Sequence, residues 1–271
     1  MSCLLFAFVG GDKRMMYACD ELVSRGYEVC YHGFENYSGE ATRCRCVEDA
    51  IAQGNVIVLP PGCTTELISR CSENDSKLLI AAGITERQEK ETDRKVFNYF
   101  DDESLKIMNA VPTAEGALMI AIRETSDTIA FSDVTVVGFG RVGGAVAKLF
   151  SAAGAKVTVA VRSKTDEARC HAVGYKSCCI SALAESVENC DILINTVPAR
   201  VIDRKVLQKT GPDALIIDLA SRPGGIDFEY ANELERRVVW ALSLPSTVAP
   251  RYSGKLIAQA ILRKLETEGV L

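Results

Sequence analysis

Segment 134–150, VTVVGFGRVGGAVAKLF, constrains the folds open to this chain more than any other stretch. β-branched residues lead into Gly138, Gly140 and Gly143, and small apolar residues at helical spacing follow. This G-x-G-x-x-G spacing between a strand and a helix is typical of a unit that holds a dinucleotide. The first glycine allows a tight turn, the second lets the backbone approach a pyrophosphate, and the third lets the helix pack closely against the strand. The sequence therefore predicts a Rossmann fold here.

The next strand favours one dinucleotide over the other. It reads KVTVAVRSK and ends on Arg162 and Ser163. A carboxylate at that position would accept hydrogen bonds from the ribose hydroxyls of NAD, whereas an arginine pairs with the 2′-phosphate of NADP and a serine can donate to it. We therefore expect NADP as the cofactor.

Further cofactor contacts are expected where the glycine loop enters its helix and where later strands end. Ligands of doubly wound sheets bind at the carboxyl ends of the strands. Besides the residues already named, these positions are Arg141, Val142, Thr196, Val197, Pro198 and Ala220. Asp218 closes one of these strands, and its carboxylate either caps a turn or takes a direct part in the chemistry.

Short apolar strands alternate with helical segments along both halves of the chain. Such alternation predicts parallel sheets that are covered on both faces. We expect an α/β fold with two doubly wound domains, the second a Rossmann dinucleotide-binding fold, joined by long helices. Pro112 suits the first turn of a helix and sets one boundary. The predicted parts are an N-terminal substrate domain over 1–111, a connecting helix over 112–130, a Rossmann domain over 131–246, and a C-terminal helix over 247–271 that returns to the first domain.

The bulk composition narrows the partners and the compartment. The 271 residues carry a net charge of −5, which gives no electrostatic footprint for nucleic acid or for an anionic membrane surface. Eleven cysteines are scattered and odd in number, and the first apolar run lacks the basic start of a signal peptide. We therefore expect reduced thiols in a cytoplasmic protein. Only His32 and His171 offer imidazoles, so we expect no metal site.

The order of several motifs resembles one family along nearly the whole chain. The strings are GGDKR, NAVPTAEGALMIAI, GFGRVGG, VRS, IIDLASRPGG and LPSTVAPRYSG. They resemble the dipicolinate synthase A-subunit family, with Ser246 and Thr247 standing where that family's pattern has glycine and lysine. The resemblance implies an NADP-dependent oxidoreductase that forms dipicolinate (pyridine-2,6-dicarboxylate) from a dihydrodipicolinate of the lysine pathway in spore-forming bacteria. It also implies association with a flavoprotein-like B subunit.

A dicarboxylate substrate needs cations and helix N-termini in its binding cleft. Candidates lie near the predicted joints between the domains: Arg14, Thr113, Arg222, Arg251 and Lys255. Oxidation of a dihydropyridine to an aromatic ring also requires a proton acceptor. We expect Glu115 in that role, with Ser221 also near the reacting end of the cofactor.

Other functions are compatible with the same architecture. Two-domain 2-hydroxy acid dehydrogenases need a histidine base with an acidic partner, and neither histidine of this chain stands in a matching pattern. Shikimate-type dehydrogenases use a lysine–aspartate pair, for which no matching pattern is evident. A dehydrogenase of another small carboxylic acid and a non-catalytic NADP-binding or scaffolding subunit stay open, as does assembly into a homo-oligomer.

Overall fold

The chain divides into two compact units. The structure is a computed structural model that describes residues 4–72, 77–84, 86–91 and 95–271. Unit 1 contains the residues up to Asn109 together with Ala249–Leu271, and unit 2 contains Ala110–Val248. Each unit is built around its own parallel sheet, as the alternation of strands and helices predicts.

Strands and helices follow one another along both units. The strands of unit 1 are β1 (Leu5–Val9), β2 (Glu28–His32), β3 (Thr42–Arg43), β4 (Val56–Pro61), β5 (Leu78–Ala82) and β6 (Val96–Asn98). Those of unit 2 are β7 (Asp133–Val137), β8 (Lys156–Val161), β9 (Lys176–Cys179), β10 (Ile192–Asn195), β11 (Leu215–Asp218) and β12 (Arg237–Trp240). The helices are α1 (Lys13–Ser24), α2 (Val47–Gln53), α3 (Thr65–Ser72), α4 (Glu86–Glu91), α5 (Glu103–Glu124), α6 (Arg141–Ala152), α7 (Lys164–Ala172), α8 (Leu183–Ser186), α9 (Arg204–Lys209), α10 (Phe228–Glu233), α11 (Leu244–Val248) and α12 (Pro250–Thr267).

Each sheet has six parallel strands within the described ranges, in the orders β3-β2-β1-β4-β5-β6 and β12-β11-β10-β7-β8-β9. The strand order runs outward in both directions from the first strand of each unit, which is the doubly wound arrangement. In unit 2 the order reverses between β7 and β10, so a ligand crevice is expected at the carboxyl ends of these strands. The predicted fold class is confirmed.

Helix α12 completes the core of unit 1. Its residue Ile261 is fully buried in one apolar cluster with Phe8 of β1 and Met15 of α1. Gly254 permits a close approach of the two helices, because a Cβ at this position would overlap the carbonyl oxygen of Arg14. Full burial of a large apolar side chain stabilises a fold by about 1.5–3 kcal/mol, so α12 belongs structurally to unit 1.

Helix α5 begins earlier than the connecting helix predicted over 112–130. The side chain of Asp102 accepts a hydrogen bond from the backbone N–H of Leu105 at 2.9 Å, which caps the helix at its actual start. Pro112 therefore lies inside the helix rather than in its first turn, where it removes one backbone donor. The predicted start was wrong because a proline tolerated inside a helix resembled one that begins it.

Most of α5 belongs to unit 2, including residues that the sequence assigned to a connection. Ala114, Ala117 and Ala121 are buried in the same apolar cluster as Val146 and Phe150 of α6. By length and composition alone, α5 is apolar enough to cross a membrane. Its buried face accounts for that composition in a core helix.

Two further helices differ from the prediction. The helix predicted within 247–271 is in fact two helices, α11 and α12, because Pro250 cannot continue α11 and instead occupies the first turn of α12. Helix α10 has no counterpart in the sequence prediction. It begins where the side chain of Asp227 accepts a hydrogen bond from the backbone N–H of Tyr230 at 3.2 Å.

Candidate dinucleotide-binding site

The glycine loop between β7 and α6 forms a cradle that side chains would fill. Gly138 has a φ of +96°, and a Cβ at this position would lie 2.7 Å from Thr196 Oγ1. A Cβ on Gly143 would overlap the carbonyl group of Gly138, so this glycine lets α6 begin close to β7. Gly140 is the N-cap of α6, faces open space and provides no side chain to compete for the first amide groups of the helix. The loop therefore fits the pyrophosphate of a dinucleotide.

A cleft of about 430 Å³ opens beside this loop, at the carboxyl end of the unit 2 sheet. It brings together most of the predicted cofactor residues: Gly138, Gly140, Arg141, Val142, Gly143, Arg162, Thr196, Val197 and Pro198. It also contains residues that the sequence pattern does not single out: Phe139, Val161, Asp166, Ile180, Ala199 and Val201. Two predicted cofactor residues, Ser163 and Ala220, are not in its lining.

A buried carboxylate organises the turn after β11. Asp218 is fully buried, and Asn195 Nδ2 of the adjacent strand β10 donates to it at 2.8 Å. The backbone N–H groups of Ala220 and Gly225 also donate to this carboxylate, at 3.0 and 2.8 Å. Asp218 thus caps a turn, which was one of its two interpretations. Ala220 is held by this network beside the cleft rather than within it.

The end of β8 presents one exposed guanidinium to the cleft. Within the described part of the chain, Arg162 has no hydrogen-bond or ion-pair partner. Ser163 instead caps α7, since its hydroxyl accepts a hydrogen bond from the backbone N–H of Asp166 at 3.0 Å. Lys164 pairs with Glu167 at 2.6 Å and does not line the cleft. Arg162 is therefore a cation that a ligand in the cleft can reach.

The predicted catalytic and substrate residues of unit 2 lie on two elements. Thr113 and Glu115 are inside α5, so the expectation that they lie at a helix N-terminus is wrong and no unpaired first-turn amides surround them. Ser221 and Arg222 are exposed in the turn after β11, where the Arg222 guanidinium lies 5.3 Å from the centre of the Trp240 ring. The roles of these residues in catalysis and substrate binding stay predictions.

The predicted substrate residues of unit 1 are held by acidic neighbours. Arg14 is buried and bonded to Asp12, with Nε 3.0 Å from Oδ1 and Nη2 2.7 Å from Oδ2. Asp12 also caps α1, so the N-terminus of this helix is not open to a ligand carboxylate as expected. Arg251 and Lys255 are exposed on α12, and Lys255 Nζ lies 3.8 Å from Glu21 Oε2. Their part in substrate binding stays a prediction.

The histidines and cysteines have structural surroundings. His32 Nδ1 lies 3.2 Å from the carbonyl oxygen of Cys44, and His171 Nε2 lies 3.1 Å from Ser177 Oγ. Neither histidine lines the cleft. The cysteines within the described ranges are free thiols, and those ranges contain no group of three or more side chains arranged to hold a metal ion.

Comparison with known proteins relates both units to described families. Residues 5–92 match the N-terminal domain of the dipicolinate synthase A-subunit, and residues 115–229 match the NAD-binding domain of D-isomer specific 2-hydroxyacid dehydrogenases. The chain is 34% identical over 288 residues to the dipicolinate synthase A-subunit of Bacillus subtilis (strain 168), which covers 98% of this chain and 96% of that protein. The chain belongs to the dipicolinate synthase A-subunit family. This family member has a dehydrogenase-type domain for a nicotinamide dinucleotide, and the lettered name of the family implies a partner subunit.

Solved structures agree with this assignment. The dipicolinate synthase A-subunit from Bacillus halodurans matches with a TM-score of 0.86 and 30% identity, over 96% of this chain and 97% of that one. The corresponding chain of dipicolinate synthase from Bacillus subtilis matches with a TM-score of 0.84 and 31% identity, over 99% and 97%. A transhydrogenase from Sinorhizobium meliloti shares the fold with a TM-score of 0.74 at 18% identity, over 98% and 94%.

Proposed function

We propose that this protein is an NADP-dependent dehydrogenase that forms dipicolinate from dihydrodipicolinate, as the A-subunit of dipicolinate synthase. The substrate derives from the lysine pathway, and the product serves bacterial sporulation. Two findings support this assignment. The chain is related to the dipicolinate synthase A-subunit over almost its whole length, and unit 2 contains a cleft that fits a dinucleotide.

The observation that carries the choice of NADP is the position of Arg162. This arginine follows β8 directly, at the place where an acidic residue of an NAD-binding domain would hold the ribose hydroxyls. Its guanidinium lines the cleft and has no partner within the described residues, so it is available to a phosphate. A guanidinium forms charge-assisted, often bidentate hydrogen bonds with a phosphate group.

The chemistry requires one hydride acceptor and one proton acceptor. When bound, the nicotinamide ring accepts the hydride, so that dihydrodipicolinate and NADP⁺ give dipicolinate, NADPH and a proton. We assign the proton to Glu115, an exposed carboxylate of α5. Arg222 and Ser221, exposed after β11, are assigned to orient the substrate, and Thr113 is assigned to bind it.

We further propose that the protein works in the cytoplasm together with a flavoprotein-like B subunit. The lettered name of the Bacillus subtilis relative supports the existence of a partner. The free thiols of the described cysteines are compatible with a reducing compartment.

The test is an assay of the purified chain, alone and with the B subunit, in the presence of NADP and freshly generated dihydrodipicolinate. We expect the absorbance of reduced nicotinamide to rise together with dipicolinate, identified by mass spectrometry. Glu115→Gln should lower kcat more than it raises KM, whereas the matched variant Glu229→Gln, a glutamate in the first turn of α10, should behave as wild type. No turnover in either arrangement would contradict the proposal.

A dehydrogenase of another small carboxylic acid is the second candidate, because residues 115–229 match a 2-hydroxyacid dehydrogenase domain. The same assay with a panel of 2-hydroxy acids distinguishes the two. Turnover of a 2-hydroxy acid without turnover of dihydrodipicolinate would support the second candidate. Binding of NADP without any turnover would indicate a non-catalytic NADP-binding or scaffolding subunit.

A further inference from the structure

A carboxylate lies in the part of the cleft where dinucleotide specificity is decided. Asp166 shares the lining with Val161, the last residue of β8, and with Arg162. In a doubly wound sheet the end of this strand faces the adenosine ribose. A phosphate that reaches Arg162 therefore also approaches a negative charge.

Two neighbours hold the Asp166 carboxylate. The hydroxyl of Ser163 donates to Oδ2 at 2.8 Å, and Arg169 Nη1 lies 3.2 Å from Oδ1. The hydroxyl hydrogen of Ser163 is thus engaged by Asp166 instead of being directed to a ligand. Arg169 only partly offsets the negative charge, because solvent screens the pair: 64% of the arginine side chain and 35% of the aspartate side chain are exposed.

We propose that Asp166 is a specificity-determining residue that weakens binding of NADP relative to NAD, and that Arg169 is a positioning residue that limits this effect. The proposal rests on the proposed binding of a dinucleotide in the unit 2 cleft. A 2′-phosphate is repelled by the carboxylate, whereas a ribose 2′-hydroxyl is neutral and can donate to it. Arg162 and Asp166 then act in opposite directions, and the cofactor preference is the balance between them.

The first test compares wild type with Asp166→Asn, which removes the charge and keeps an oxygen acceptor for Ser163. The dissociation constants for NADP and for NAD are measured by calorimetry at low ionic strength. We expect the ratio Kd(NAD)/Kd(NADP) to rise about five- to tenfold, on the order of the effect of one nearby like charge. The ratio is the right readout, because any loosening of α7 affects both cofactors alike.

The control is Glu188→Gln, which removes the same charge from unit 2 outside the cleft, where Glu188 pairs with Lys209 at 2.6 Å. This variant should leave the ratio unchanged. An unchanged ratio in Asp166→Asn, or an equal rise in the control, would overturn the proposal. If wild type prefers NAD and Asp166→Asn still raises the ratio, the NADP assignment fails while this inference is supported.

The second test concerns Arg169. Arg169→Gln should lower the ratio about two- to threefold in the wild-type background, because the Asp166 charge loses its neighbour. The same substitution should have no effect on the ratio in the Asp166→Asn background. An equal effect in both backgrounds would mean that Arg169 acts on the phosphate directly, and the positioning role would be overturned.

Discussion

Replacement of Arg162 by alanine should separate the two dinucleotides sharply. Because the guanidinium has no internal partner among the described residues, its removal breaks no intramolecular bond, and the free energy of unfolding should change by less than about 0.5 kcal/mol. A charge-assisted hydrogen bond to the 2′-phosphate contributes about 1.5–3 kcal/mol. The dissociation constant for NADP should therefore rise about 10- to 150-fold, and that for NAD less than about threefold.

Calorimetric titration with both dinucleotides at two salt concentrations measures these effects. The affinity of wild type for NADP should fall with added salt more than its affinity for NAD, and this difference should shrink in Arg162→Ala. Arg162→Asp should weaken NADP binding further, because it puts a like charge against the phosphate. Lys148→Ala, which removes an exposed cation of α6 outside the cleft, is the matched control. Equal losses for NADP and NAD would refute the reasoning.

Three further substitutions test the surroundings of the cleft. Gly143→Ala should weaken both dinucleotides and lower Tm, because the new Cβ forces α6 away from β7; full retention of affinity would contradict this. Asp218→Asn should lower the free energy of unfolding by about 1–3 kcal/mol, since an amide NH₂ would face a backbone donor, and an unchanged denaturation curve would argue against it. Hydrogen bonds from the Ser181 hydroxyl and backbone lower the pKa of Cys179, so Ser181→Ala should slow its alkylation at neutral pH, as read by mass spectrometry; an unchanged rate would show otherwise.

The sheets could be predicted from the sequence because their strands are short apolar runs that end at residues of special conformation. β7 ends where Gly138 takes a positive φ, and β1 ends in the same way at Gly10. The start of α5 could not be predicted in this way, because two signals compete. Pro112 is a helix-start residue by its fixed φ, and only the hydrogen bond made by Asp102 shows that the helix begins before it.

The cleft was predicted as far as its residues lie next to glycines or strand ends. Asp166 is absent from that prediction because it stands beyond the end of β8, and the first turn of α7 brings it back to the lining. Ile180 comes from the segment after β9, whose sequence carries no motif. Ser163 stood in the expected place, but its hydroxyl caps a helix, which depends on side-chain geometry that a residue pattern does not contain.

Unit 1 is discontinuous in sequence, since α12 follows all of unit 2 along the chain. During synthesis the ribosome therefore releases every residue of unit 2 before it releases the helix that covers α1. Unit 2 can finish folding on the nascent chain, whereas β1 and α1 wait with Phe8 and Met15 uncovered by their final partner. The order of translation thus makes the earliest part of the chain the last to reach its native packing, and the part most dependent on chaperones in the interval.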